Sequence, residues 1–293
     1  MKKLFILLLF LIVSITLGTT WIVMKLVTET IPPIFGTGMR FLLASPLLII
    51  LCYLNNVPFF FPTNKIKYQF IISLFYFFIP FTLMLYSSIY ISSFFASVIF
   101  STMPIFIIII SCIYFKTQTH FLQIIGVTIS LFSFFIILLS ELLYNIQTYK
   151  GILTLLIAVI SHAWIYVYTK KKCKKISILT FNTLPSLFSG LMLLILSYFI
   201  ENPVIQNFSL KSIIAIIYLG NFIGIFGILS YFYLQKNIDS LYTSIVFLLF
   251  PFIVCIIDKY YYAYNITLFQ FLLLIFLVFG MLLTMLPKNI LKL

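Results

Sequence analysis

Residues 86–142, moved forward by 147 positions, fall on the second half of the chain without a gap. Tyr86 meets Tyr233, Ile91 meets Ile238, Ser93 meets Ser240, Ser97 meets Ser244, Phe100 meets Phe247, Pro104 meets Pro251 and Gln123 meets Gln270. The register runs through two apolar segments, and five apolar runs precede the second copy. A unit that crosses a bilayer an odd number of times delivers the next copy upside-down. Inverted-topology repeats of this kind build carriers that expose one central site to each side in turn.

The runs are long enough for that reading. Hydrophobic residues make up 63% of the chain and charged residues 8%, with a mean hydropathy of +1.24. Soluble domains carry roughly 25% charged residues. Ten stretches of membrane-spanning length fall at about 4–24, 33–54, 68–86, 93–114, 119–140, 151–170, 179–200, 211–234, 240–257 and 266–286. The fold class is therefore an all-α integral membrane protein of ten transmembrane helices in two inverted five-helix repeats, 1–148 and 149–293. The linking segments are too short for a soluble domain.

Lysine placement sets the orientation. With a cytoplasmic N-terminus, thirteen of the 18 basic residues lie on inside segments, four on outside ones, and Arg40 within the second span. That bias places both termini in the cytoplasm. The surplus of 13 positive charges thus reads as topology, with no nucleic acid implied, and the run KKKCKK at 170–175 as a stop at the end of the sixth helix or a patch for anionic lipid. The basic start resembles a signal peptide, yet its apolar run continues to about Met24 with no small-x-small site before Trp21, so the first helix is retained. Cys52, Cys112, Cys173 and Cys255 have no metal-ligand spacing and read as small apolar fillers.

Polar residues inside spans are costly and mark function. Glu29, Glu141, Glu201, Asp239 and Asp258 all fall in loops on this reading, which leaves no carboxylate at mid-membrane to carry a cation or proton. It also leaves no acid cluster for a membrane enzyme, and the chain is read as a non-enzyme without metal or cofactor. Arg40 either snorkels outward, pairs with Glu29, or faces a cavity and attracts an anion. Lys25 is a second cationic contact or an interfacial anchor. His162 is a hydrogen-bonded structural residue or a titrating one. Trp21 in TTWIVMK answers Trp164 in HAWIYVYTK, either as a substrate contact or as part of an interfacial belt. Trp21, Lys25, Arg40, Tyr86, His162, Trp164 and Tyr233 form the candidate cavity set. Pro104 and Pro251 are candidate hinges, Pro80 answers Gly227, and Gly220 and Gly224 read as a small-residue contact.

The segments 18–49, 96–138, the HAWIYVYTKKK stretch and 270–283 together resemble the EamA family of the drug/metabolite transporter superfamily, essentially end to end. The resemblance implies a cavity between helices 1–4 and 6–9, with helices 5 and 10 packed outside. It implies an alternating-access carrier of small organic metabolites such as amino acids in a bacterial inner membrane, most simply an exporter. An uptake or exchange carrier for a nucleotide derivative or S-adenosylmethionine, or a lipid scramblase, stands as the alternative. The expected partners are a small-molecule substrate and the lipid bilayer, and a homodimer is left open.

Overall fold

The computed structural model describes residues 2–116, 119–173, 176–238, 243, 245–262 and 266–286. Asp239, Ser240, Ser244, Lys174, Lys175, Lys288 and Lys292, used above, lie outside the described residues. Among the described residues there is no strand. In hydrocarbon a backbone must satisfy its own polar groups, and a helix does so within one segment.

Eight helices are long and apolar enough to cross a membrane. They are α1 (Leu4–Thr28), α2 (Pro33–Leu54), α3 (Thr63–Tyr90), α4 (Ser93–Phe115), α5 (Phe121–Leu143), α6 (Thr148–Thr169), α7 (Ile178–Ile200) and α8 (Leu210–Gln235). Two apolar helices of 17 residues follow, α9 (Ile245–Tyr261) and α10 (Leu268–Thr284). The protein is thus all-helical, with eight to ten apolar helices of spanning character. Serine and threonine cap several starts: Ser92, Ser177, Ser209 and Thr267 accept from the backbone three residues on. Asn56 and Asn202, just past α2 and α7, have φ of 50° and 45°, the left-handed conformation that asparagine tolerates at helix ends.

Packing follows the sequence repeat. The most extensive pairings are α2 with α7 and α5 with α10, and α3 lies on α6 as α8 lies on α1. Helix α4 packs on α9. Moving every helix number by five exchanges these pairings among themselves. At the α5–α10 crossing, Gly126 and Gly280 bring the two backbones together, and a Cβ on either would run into the other's carbonyl oxygen. Ser130 Oγ donates to Leu277 O at 3.0 Å, and these two positions are 147 apart. Phe100 and Phe247, equivalent in the same register, also meet, as an edge-to-face pair with centroids 5.5 Å apart.

The helix interruptions repeat as well. Ser73–Phe78 of α3 and Tyr218–Gly227 of α8 are wound as π-helix, and the first segment moved by 147 falls inside the second. Pro80 and Gly227 stand just past or at the end of each. Such segments are rare and cluster at functional sites. The two prolines expected as matched hinges differ. Pro104 sits in the first turn of Met103–Phe115, after α4 breaks at Thr102, whereas Pro251 lies within an unbroken α9.

Two loop assignments need correction. Asp258 lies in the last turn of α9, because that helix runs to Tyr261 rather than ending at about 257. Glu141 likewise lies within the last turn of α5 rather than beyond its end.

Candidate functional site

A cavity of about 750 Å³ occupies the centre of the bundle. Helices α1–α4 and α6–α9 supply its wall, and α5 and α10 supply none of it. Arg40, Tyr76, His162, Tyr166 and Tyr231 are its main polar groups, set among Trp21, Phe81, Phe100, Phe247 and Phe250. Part of the wall obeys the repeat, where α3 and α4 answer α8 and α9. Tyr76 and Ile223, Phe81 and Ile228, Met84 and Tyr231, Phe100 and Phe247, and Met103 and Phe250 are five pairs, each 147 apart, with both members on the wall.

The cavity is closed at one end and open at the other. Towards its floor Trp21, Phe100, Phe247 and Phe250 are buried against one another, with Trp21 and Phe100 centroids 5.1 Å apart. At the mouth, Thr169, Ile176, Ser177 and Gln235 are only half-buried. Polar ties beyond the floor join the two halves. Glu201 at the end of α7 accepts from the amides of Ile34 and Phe35 at 2.9 and 2.8 Å, capping α2. Burial pushes the Glu201 carboxyl above its ordinary range, although those two N–H groups pull the other way. Asp258 accepts from the Phe94 amide at 2.9 Å and caps α4. Glu29 pairs with Lys211 at 2.9 Å.

Arg40 is 4% exposed. Its guanidinium lies 4.7 Å from the centroid of Phe81, and its Nε has no hydrogen-bond partner. Glu29, its expected alternative partner, is taken by Lys211, and no other ion pair occurs among the described residues. Arg40 therefore neither snorkels nor pairs; it stands on the cavity wall.

His162 Nε2 lies 3.1 Å from Tyr76 O, and because a carbonyl only accepts, Nε2 carries the proton. Tyr76 is in the π-wound part of α3. Ser161 Oγ donates to Phe75 O and Ser189 Oγ to Ser73 O, each at 2.7 Å. Side chains of α6 and α7 thus satisfy carbonyls in the stretch where the regular α ladder is interrupted.

Of the seven residues chosen from sequence, Trp21, Arg40 and His162 line this cavity and four do not. Trp164 is 38% exposed and meets Phe75 and Tyr168 on the outside of α6. Tyr233 is 46% exposed, against Phe5. Tyr86 is half-buried with its hydroxyl 3.0 Å from that of Tyr90. Each stands two positions past a wall residue (His162, Tyr231 and Met84), which at 3.6 residues per turn is about 200° around the helix. Lys25 lies one turn beyond Trp21 and donates to Ser88 O at 2.7 Å, holding the end of α3 rather than facing the cavity. Tyr76, Tyr166 and Tyr231 were missed. The signal for Tyr166 was its spacing of four from His162, and for Tyr231 its register with Met84.

At the mouth, Cys173 is buried, and burial raises its thiol above the ordinary range against the pull of Lys65.

The EamA-like transporter family model matches residues 4–139 and again 149–286. The chain is 52% identical to an uncharacterized transporter of Buchnera aphidicola subsp. Schizaphis graminum, over all of this chain and 98% of the relative. It is 43% identical to Protein PagO of Salmonella typhimurium, over 99% of this chain and 96% of that one. A crystal structure with a TM-score of 0.70 and 13% identity covers 96% of each chain, a likeness of fold.

Proposed function

This chain belongs to the EamA-like transporter family, and on that premise we propose that it carries small organic metabolites such as amino acids across a bacterial inner membrane by alternating access. In this reading residues 1–148 and 149–293 are inverted five-helix halves, ten helices in all, with both termini cytoplasmic. The carrier is an exporter, and its solute binds in the central cavity with a carboxylate at Arg40.

One observation carries the proposal: where α3 and α4 face α8 and α9, the cavity wall repeats under the 147-residue shift. Two halves that build one wall from equivalent residues can exchange roles, so that the end now closed opens while the open end closes. The mouth lies beside Cys173 at the end of α6; with that end cytoplasmic, as this reading has it, the described state is the one from which an exporter loads. A lone arginine with no carboxylate beside it suits an anionic or zwitterionic solute, because burying a charge without a partner is unfavourable.

The test is counterflow in liposomes. Purified protein, with vesicles loaded in turn with a panel of unlabelled amino acids, is expected to draw in the matching labelled solute, and Arg40→Gln to lose most of that exchange. Undiminished exchange by the Arg40→Gln protein sinks the assignment of the site. Lipid scrambling without movement of any hydrophilic solute sinks the transport reading.

A further inference from the structure

Buried polar side-chain atoms without a partner are few in a folded protein, and each calls for an explanation. Five of those among the described residues belong to the cavity wall: Thr20 Oγ1, Trp21 Nε1, Arg40 Nε, His162 Nδ1 and Tyr231 Oη. Two of them, Trp21 Nε1 and Arg40 Nε, only donate. His162 Nδ1 is different. With Nε2–H committed to Tyr76 O at 3.1 Å, Nδ1 of the neutral ring holds a lone pair and can only accept. The ring is held by Tyr76, Phe81 and Phe100, with centroids 4.9, 5.1 and 6.0 Å away. Phe81 is also the ring under Arg40. A fixed donor and a fixed acceptor therefore flank one aromatic ring.

We infer that His162 is a specificity-determining residue, whose Nδ1 accepts a hydrogen bond from an N–H or O–H group of the same solute whose carboxylate sits at Arg40. The inference rests on the cavity being the solute site. The solute is then an acid with a nearby donor, such as an α-amino or α-hydroxy acid. A simple carboxylate leaves Nδ1 unpaired, and an amine without a carboxylate leaves Arg40 unpaired. His162 has a second consequence through its other nitrogen. A donor on Nδ1 polarises the ring and strengthens the Nε2–H bond to Tyr76, so that occupancy of the site stiffens the π-wound part of α3.

The experiment measures binding to the purified full-length protein with three probes: L-phenylalanine, 3-phenylpropanoate and phenethylamine. Wild type is expected to bind the amino acid about tenfold or more tighter than the desamino acid, because a buried acceptor left unpaired is heavily penalised, and to bind the amine least. Two variants separate the nitrogens. In His162→Gln the amide nitrogen replaces Nε2 and keeps the carbonyl of Tyr76 bonded, but nothing replaces Nδ1. It should bind both acids equally, at the wild-type affinity for 3-phenylpropanoate. In His162→Asn the amide oxygen stands where Nδ1 stood, so the preference should survive while thermal stability falls. A preference for the amino acid that persists in His162→Gln overturns the inference, as does a wild-type protein that does not discriminate the two acids. Arg40→Gln distinguishes the deeper failure. If it leaves binding of both acids unchanged, or if neither acid binds wild type at millimolar concentration, the site reading falls with it.

Discussion

Replacing Gly280 with alanine tests whether the close α5–α10 crossing is a stability element separate from the cavity. An added Cβ would meet Gly126 O at 2.7 Å and Ser130 N at 2.9 Å, as well as Ser130 Oγ. Ordinary contact begins at 3.4 Å, so α10 must retreat by about 0.5–0.7 Å. That retreat stretches the 3.0 Å bond from Ser130 Oγ to Leu277 O beyond useful length. Overpacking costs about 1–3 kcal/mol and a lost interhelical bond in a membrane about 0.6 kcal/mol. Alanine regains up to about 1 kcal/mol of helix propensity over glycine. The expected net loss is about 0.6–2.6 kcal/mol, read from reversible unfolding in detergent. Ligand affinity should not change, because neither helix contributes to the cavity wall. Adding Ser130→Gly should restore only part of the stability, since two of the three obstructing atoms are backbone. Unimpaired stability of Gly280→Ala, or full rescue by Ser130→Gly, refutes the reasoning.

The prolines should behave unequally. Pro104 occupies a first-turn position where the missing N–H is not needed, so Pro104→Ala should alter exchange rates little. Pro251→Ala restores a bond within α9 and should slow exchange more than it weakens solute binding; equal effects of the two substitutions would count against this. Cys173 offers a probe of orientation and occupancy together. In a protein with Cys52, Cys112 and Cys255 replaced by alanine, a membrane-impermeant maleimide should reach Cys173 from the cytoplasmic side only, and bound solute should slow the reaction. Its raised thiol pKa means the thiolate is scarce at neutral pH, so labelling should accelerate as pH rises past the ordinary thiol range. Labelling from the outer face would reverse the proposed orientation.

The helices were legible because an apolar run of spanning length has one stable form in hydrocarbon, and each of the ten runs carries a described helix. The repeat was legible because equivalent positions kept their residue types, from Tyr86 to Gln123 and their images. Facing was not. Trp164, Tyr233 and Tyr86 were chosen for what they are, and each points about 200° away from a wall residue two positions earlier. In apolar spans the lipid side and the packed side use the same residues, so no amphipathic stripe marks the inner face. The α9 end was misplaced because the sequence places Asp258 after an apolar run, whereas its amide partner Phe94 lies 164 residues away and appears only in the fold. The π-wound segments gave no composition signal beyond Pro80 and Gly227.

The carboxylate ties beyond the cavity floor have a consequence for the direction of the resting balance. Two halves with identical sequences would relate the inward- and outward-facing states by a two-fold rotation and give them equal free energy, so that each would be populated half of the time. The positions that answer Glu29, Glu201 and Asp258 across the 147-residue shift are Ile176, Leu54 and Ser111, none of them acidic. Closing the mouth therefore recruits no counterpart of these carboxylates, and the two states of the carrier are unequal before any solute arrives. The waiting posture of such a protein is set by the places where its halves have stopped resembling each other.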